Sequence, residues 1–316
     1  MPGQVYSTNS LGGNWSTPYL TDRFRHRAQP LFKLRQFIDT KEAIGKRKGD
    51  TFLFDKAGDV ATQGGTLLET QTIPETNYIT NQGTATIVEW GNSIPFTEKL
   101  EELAQFDTPS VTEMKLHNDA IRALESAAGD QYAASDFIAV CSSGSSVAIT
   151  TNGTATATAT GDLTAANVRT IADFMKKNFV PKYDNENYIC VASVAALSGM
   201  HADTGSGGWI DISKFTDKQV MNIFNGEVGQ FYKVRFVEET GYLSNAIGNA
   251  SGHGEAVFFG EDAVYEAVTT PEMIREKNSV DYDRDRGLAW YALLGFQIVW
   301  DYSTDTEQHI VFVTSA

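Results

Sequence analysis

Cysteine is nearly absent: the 316 residues contain two, Cys141 and Cys190, far apart and at no metal-ligand or redox spacing. That excludes a disulfide scaffold and a cysteine zinc site, and it reads as two inert thiols in a reducing compartment. Long hydrophobic runs are missing as well. The most apolar stretch, Leu288 to Trp300, spans about 13 residues and contains Gly295 and Gln297, short of the ~20 that a membrane-spanning helix needs. The opening Met1-Pro2-Gly3-Gln4 lacks the basic end and apolar run of a signal peptide. Without a secretory route, the sequons at Asn14, Asn152 and Asn249 carry no weight. Positive charge is scarce: 25 Lys and Arg against 40 Asp and Glu give a net charge of -15. Strong binding of nucleic acid or anionic membrane by the whole surface is thereby excluded.

Catalytic signatures are equally sparse. Asp203-Thr204-Gly205 matches the core of an aspartic-protease site, but that chemistry needs two carboxylates sharing one proton beneath apolar strands. Here the tripeptide lies in a polar loop from Met200 to Gly208 and has no second copy, so it reads as a chance match. Asp281, Asp283 and Asp285 alternate like the opening of a calcium loop, which then requires Gly at its sixth position and Glu at its twelfth. The chain supplies Arg286 and Ala292 there, and Arg284 and Arg286 stand ready to neutralise the acids. A charged turn before a strand is the better reading. His26, His117, His201, His253 and His309 do not cluster and form no metal-site unit. Gly45-Lys46-Arg47 lacks both the earlier Gly and the Ser or Thr of a phosphate loop, and there is no Gly-x-Ser-x-Gly elbow. No residue is left to nominate for catalysis, for a cofactor or for a metal.

What the chain does have is an uneven charge and one long helix. Residues 1 to 48 hold nine basic residues (Arg23, Arg25, Arg27, Lys33, Arg35, Lys41, Lys46, Arg47, Lys48) against Asp22, Asp39 and Glu42, a net of +6 that leaves -21 on the remainder. A basic arm of this kind, polar but carrying Tyr6, Trp15, Tyr19 and Phe24, fits a segment that orders on an acidic surface, its own or a neighbour's, through a salt-sensitive contact. Leu31, Leu34, Phe37 and Ile38 allow a short amphipathic helix. From Asp50 to Thr97 the pattern is strand and turn, with turns expected at Lys56 to Asp59 and at Asn81-Gln82-Gly83. About 45 residues of strand cannot stand alone, so another surface must cover them.

Thr97 then caps a short helix carrying Leu100, Leu103 and Ala104, and Asp107-Thr108-Pro109 breaks it. Ser110 with Glu113 reads as a capping box, and Met114, Ile121, Leu124, Ala128 and Tyr132 form one apolar stripe. Val111 to Ala134 would make a rod about 36 Å long. Further on, the spacing predicts a strand at Asp136 to Cys141, a polar ribbon or loop over 142 to 161, and a helix capped by Thr164 with Val168, Ile171, Ala172, Met175 and Phe179 buried. It also predicts a strand at Tyr188 to Ala192 followed by a helix, a helix near Asp217 to Phe224, and strands at Phe231 to Glu239 and Ala256 to Phe259. A final hairpin of Trp290 to Trp300 with His309 to Val313 closes the chain.

This order of elements, α+β in class, resembles the tailed-bacteriophage major capsid proteins of the Hong Kong 97-type fold. Lys48-Gly49-Asp50-Thr51-Phe52-Leu53-Phe54 looks like the start of that family's extended loop. Ile87-Val88-Glu89-Trp90-Gly91 with Ile94-Pro95-Phe96-Thr97 looks like the return strand, and Gly226 to Val234 looks like the feed into a central strand. The resemblance implies an N-terminal arm (1–44) and an extended β-hairpin loop (45–97). It implies a peripheral domain (98–160 and 271–316) with a long spine helix (110–134), and an axial domain (161–270). It further implies self-assembly into hexamers and pentamers of an icosahedral head around double-stranded DNA, without catalysis, cofactor or membrane, in a virion assembled in the bacterial cytoplasm. Separate scaffolding, portal and decoration proteins would be partners. The residues expected at intersubunit contacts are Arg23, Arg25, Arg27, Lys46, Arg47, Lys48 and Tyr78. Lys46, Lys48 and Lys56 lie where some family members cross-link, but nothing in the residues identifies a cross-link. Two alternatives are another virion protein, such as a tail tube subunit, and an acidic hydrolase using Asp203 or the acids of 281 to 285.

Overall fold

Helix α2, the 26 residues Thr108–Ala133, runs between two β-sheets and joins their cores. The computed structural model describes residues 32–42, 49–60, 62, 64–70, 72–142, 146–155, 158–184, 186–202, 227–243, 254–278, 281, 282 and 284–315. Before α2 come β1 (Asp39–Glu42), β2 (Thr51–Val60), β3 (Tyr78–Thr86), β4 (Val88–Thr97) and the short α1 (Glu98–Leu103). After it follow β5 (Ile138–Ser142), β6 (Ser146–Thr150), α3 (Ala165–Lys177), β7 (Tyr188–Ser193), α4 (Val194–Ala202), β8 (Glu227–Phe231) and β9 (Val234–Glu239). The chain closes with β10 (Gly254–Phe259), β11 (Val264–Glu276), β12 (Asp285–Ile298), α5 (Tyr302–Asp305) and β13 (Ile310–Ser315).

Three sheets result, in the orders β1-β11-β12-β4, β6-β5-β13-β10-β7-β9-β8 and β2-β3. The central strands of the seven-stranded sheet are buried on both faces, and they alternate between two cores as a two-residue period requires. Ile189, Val191, Val257, Phe259, Ile310 and Phe312 face α2 and the four-stranded sheet. Cys190, Ala192, Phe258, Val311 and Val313 face α3 and α4. Cys141 and Cys190 are free and buried on that second side, where burial pushes the Cys141 thiol up to about 12.

Several expectations hold. Thr97 accepts from the Leu100 N–H at 3.3 Å and Thr164 from the Asn167 N–H at 3.4 Å, so both caps are as read. Leu124, Ala128 and Tyr132 of α2 pack against Trp290, Ala292, Leu294, Ile310 and Phe312 of the C-terminal strands. Other expectations fail for identifiable reasons. Helix α2 starts at Thr108, with Asp107 at the N-cap and Pro109 in the first turn, so Ser110 and Glu113 lie inside the helix and form no capping box. Its buried line continues backwards through Ala120, Leu116 and Thr112 in steps of four, which leaves Met114 and Ile121 exposed. Small residues on the true face had hidden it from the hydrophobic pattern.

The expected turns at 56–59 and 81–83 do not form: β3 runs through 81–83, and β2 continues past 56–59 with a bulge between Ala57 and Val60. Gly83 is there for close approach: a Cβ would stand 2.2 Å from Cζ of Phe54. Phe231 to Glu239 is two strands, with Tyr232 and Lys233 both at positive φ between them. The C-terminal strands are no hairpin either, since β12 lies between β11 and β4 while β13 lies between β10 and β5. The short helix near residue 34 is a 3₁₀ turn, Arg35–Phe37, leading into β1, which pairs in parallel with β11. Phe179 follows the end of α3 with φ +57° and is 88% exposed, not buried. The helix expected near 217 to 224 lies outside the described residues.

Candidate assembly surfaces

The β2-β3 ribbon has a buried base and an uncovered tip. At the base, strand alternation puts Phe52, Phe54 and Lys56 on one face, towards the body. Phe52 stacks on Tyr265 with ring centroids 5.5 Å apart, and Phe54 lies 5.2 Å from the same ring. Lys56 Nζ pairs with the Asp305 carboxylate and donates to the Val299 carbonyl at 3.0 Å; both side chains are buried. Asp305 also accepts from Asn81 Nδ2 at 3.0 Å and from its own helix at Asp301 N–H, 3.2 Å. One carboxylate therefore ties both ribbon strands to α5.

Beyond Val60 and before Tyr78 the chain leaves the body. Leu67, Leu68, Ile73, Tyr78 and Ile79 are exposed, Leu68 by 74% and Ile73 by 71%. Clustered apolar exposure on a projecting ribbon marks an interaction surface, since an uncovered ribbon edge otherwise invites aggregation.

The segment entering β1 is the second such feature. Leu34, Phe37 and Ile38 are buried against α2 and Phe259. The carboxylate of Glu125, itself buried on α2, accepts from the N–H groups of Leu34 and Arg35 at 3.1 Å each. Arg35 spans Glu266 at 2.7 Å and Glu272 at 2.9 Å. Burial holds the Glu125 carboxyl above the ordinary carboxylate range, the charge of Glu239 adds to this, and the two N–H donors oppose it. A raised value means the contribution of this group is fully present below its unfolded value of ~4.3 and is lost as pH rises through its folded value. Glu125→Gln keeps an acceptor and removes the charge. It is expected to raise the thermal midpoint of the unassembled subunit at pH 7 to 8, with the gap closing below about pH 4.3. A midpoint lower than wild type at pH 7 would refute this account of the site.

Of the residues expected at contacts, Tyr78 is described: it begins β3, pairs with Val60 and is 66% exposed. Arg23, Arg25, Arg27, Lys46, Arg47 and Lys48 lie outside the described residues, as do Asp203 and Asp283. Lys56 is committed to Asp305. Asp281 pairs with Arg284 at 3.5 Å, Asp285 with Lys277, and Arg286 reaches Glu98 and Glu101 at 3.3 and 3.0 Å. These acids sit in ion pairs at a hairpin end. Among the described residues no group of three or more His, Cys, Asp or Glu is placed to hold a metal ion, and no helix is long and apolar enough to cross a membrane. The sequence reading missed Leu67, Leu68 and Ile73, and it missed the Lys56 clasp. Period-two spacing from Phe52 and Phe54 was the available signal for Lys56.

No protein-family model and no curated protein matches the chain. Solved structures do. The capsid of Ralstonia phage GP4 superposes with a TM-score of 0.68 at 15% identity, covering 98% of each chain. A Cyanophage Pam1 capsid chain gives 0.66 at 12% over 98% of each, and the capsid of a native GTA particle gives 0.64 at 14% over 99% of each. The chain shares its fold, end to end, with capsid proteins, and its mixed α+β architecture fits the Hong Kong 97-type.

Proposed function

We propose that this chain is a shell-building subunit, a major capsid protein that self-assembles through hexamers and pentamers into an icosahedral head around double-stranded DNA. The observation that carries the reading is the ribbon: clasped at its base by Asp305, with Leu67, Leu68 and Ile73 exposed at its far end. Such a projection gains from a neighbour and from little else. Its role is structural and not catalytic, and its place is the virion.

In this reading residues 1–44 form the arm and 45–97 the extended loop. Residues 98–160 with 271–316 form a peripheral domain built on the spine helix, and 161–270 form the axial domain. The basic residues Arg23, Arg25, Arg27, Lys46, Arg47 and Lys48 engage acidic neighbouring surface, and Tyr78 joins the ribbon contact. A net charge of -15 suits a wall that repels packaged DNA and leaves it free to move. Scaffolding, portal and decoration proteins would be separate chains, and assembly would take place in the host cytoplasm. Negative-stain electron microscopy of the purified protein, alone and with scaffold, is expected to show rings or closed round shells. A strict monomer at high concentration, or helical tubes in place of shells, would overturn the proposal.

A further inference from the structure

Helix α5 holds the ribbon, and something must hold α5. The helix is four residues long, Tyr302–Asp305, too short for its own hydrogen bonds to fix it. Asp301 caps its start: the Asp301 carboxylate accepts from the Ser303 N–H at 3.1 Å and from the Thr304 hydroxyl at 2.9 Å. Asp301 and Asp305 are also tied to each other. The Asp305 N–H donates to the Asp301 carbonyl at 2.7 Å, and the Asp301 N–H donates to the Asp305 carboxylate at 3.2 Å. Whatever moves Asp301 therefore moves the residue that clasps Lys56 and Asn81.

A second carboxylate reaches the same cap from another part of the fold. Asp136, on the link from α2 to β5, accepts from the same Ser303 N–H at 3.1 Å. One donor thus serves two carboxyl groups, which lie within hydrogen-bond reach of each other. Asp136 has little room to withdraw. Its carbonyl accepts from the Gly153 N–H at 2.9 Å, its N–H donates to Gln308 Oε1 at 3.4 Å, and a Cβ at Gly153 would stand 3.1 Å from its Oδ1. Among the described residues neither acid has a cationic partner. On α5 the other charge is Asp305, already paired with Lys56, and the Tyr302 ring packs on Phe137. After α5 come Glu307 and His309, paired with each other at 3.1 Å, and the turn at 151–154 has no titratable group. Two carboxyls this close resist ionising together and favour holding one proton between them.

We propose that the Asp136–Asp301 pair is a proton-operated catch for the ribbon. With one proton between them the two acids brace α5, and Asp305 grips β2 and β3. With none, their repulsion displaces α5 and loosens the root of the ribbon, while the seven-stranded sheet stays folded. The proton sits on Asp136. Burial, the bond to Asp301 and the charge of Asp301 hold its carboxyl above the ordinary carboxylate range, against the Ser303 N–H. Burial lifts Asp301 as well, but the donors from Ser303 and Thr304 prevail and leave it below that range. The contribution of Asp136 is fully present below its unfolded value of ~3.9 and is lost as pH rises through its folded value. That of Asp301 is present above ~3.9 and is lost as pH falls through its folded value. The grip is therefore firmest in mild acid and slackens towards neutral and alkaline pH.

Hydrogen exchange of the unassembled subunit tests this, read at the ribbon amides of 51–57 and 80–86 against those of β7 and corrected for intrinsic rate. Wild-type ribbon protection is expected to fall about threefold or more from about pH 5 to pH 8 relative to β7. The change is modest because both acids are partly open to solvent. Asp136→Asn keeps an acceptor for Ser303 and gives Asp301 a permanent donor. Its ribbon protection should match the wild type in acid and stay level as pH rises. Asp301→Asn, which retains a capping side chain, should flatten the profile in the same way. A level wild-type profile, or a falling one that either variant shares, would overturn the catch. Either result would leave the shell reading, which concerns assembled copies, untouched.

Discussion

Asp305→Ala should lower the unfolding free energy of the unassembled subunit by about 3–5 kcal/mol, the range seen when one partner of a buried ion pair is removed. The size follows from what is stranded. The side chains of Lys56 and Asp305 are 8% and 2% exposed, so the loss of the carboxylate leaves an ammonium with the Val299 carbonyl and the rings of Phe54 and Trp300 as its partners among the described residues, and Asn81 loses its acceptor as well. Because Asp305 holds both β2 and β3, the damage should concentrate in the ribbon, and protease cleavage between residues 50 and 86 should appear before cleavage of the body. The paired change Lys56→Met with Asp305→Leu should recover most of the loss, since a buried pair replaced by apolar side chains of similar volume is commonly neutral or stabilising. Urea unfolding of the three proteins measures this. An Asp305→Ala subunit as stable as wild type would mean that the clasp does not hold the ribbon.

That clasp also marks the limit of what was legible in the residues. Elements specified by local chemistry could be read: the caps at Thr97 and Thr164, the stripe of α3, the strand at Tyr188 and the long helix before residue 134. Elements specified by distant partners could not. Gly58 and Gly83 look like turn residues, yet both stay in strand: Gly58 lies in a bulge of β2 between Ala57 and Val60, and Gly83 pairs with Phe54, whose ring lies over it. Strands β12 and β13 are neighbours in sequence and belong to different sheets, a choice made by β4, β11, β5 and β10 and not by the short polar stretch between them. Glu125 reads as a solvated helix residue until the segment at Leu34, 91 positions earlier, is seen to donate to it. The surfaces that support assembly are of this second kind. Exposure of Leu67, Leu68 and Ile73 is a property of the ribbon's projection, and composition alone could not distinguish it from burial.

Replacing Leu68 and Ile73 together by Asp should therefore abolish assembly while leaving the subunit folded. Both side chains are solvent-exposed in the single chain, and surface substitutions away from structural features usually change stability by no more than about 0.5 kcal/mol. In a contact with a neighbour the same two changes put unpaired carboxylates where apolar groups were, and leaving a central interface side chain unmatched costs about 2 kcal/mol or more. The penalty recurs at every subunit of a closed shell, so a modest loss per contact becomes failure to assemble. The control is Thr66→Asp, also exposed and also on the tip, which adds a charge without removing apolar surface. Sedimentation should find the double variant entirely in the slow fraction with wild-type circular dichroism, and the control in the fast one. If the double variant forms shells as readily as wild type, the tip is not the contact, and the unassigned cover for its apolar face must be sought elsewhere in the particle. If the control fails too, charge and not apolar contact governs the tip, and the acidic residues beside it, Glu69 and Glu75, become the groups that must find a basic partner.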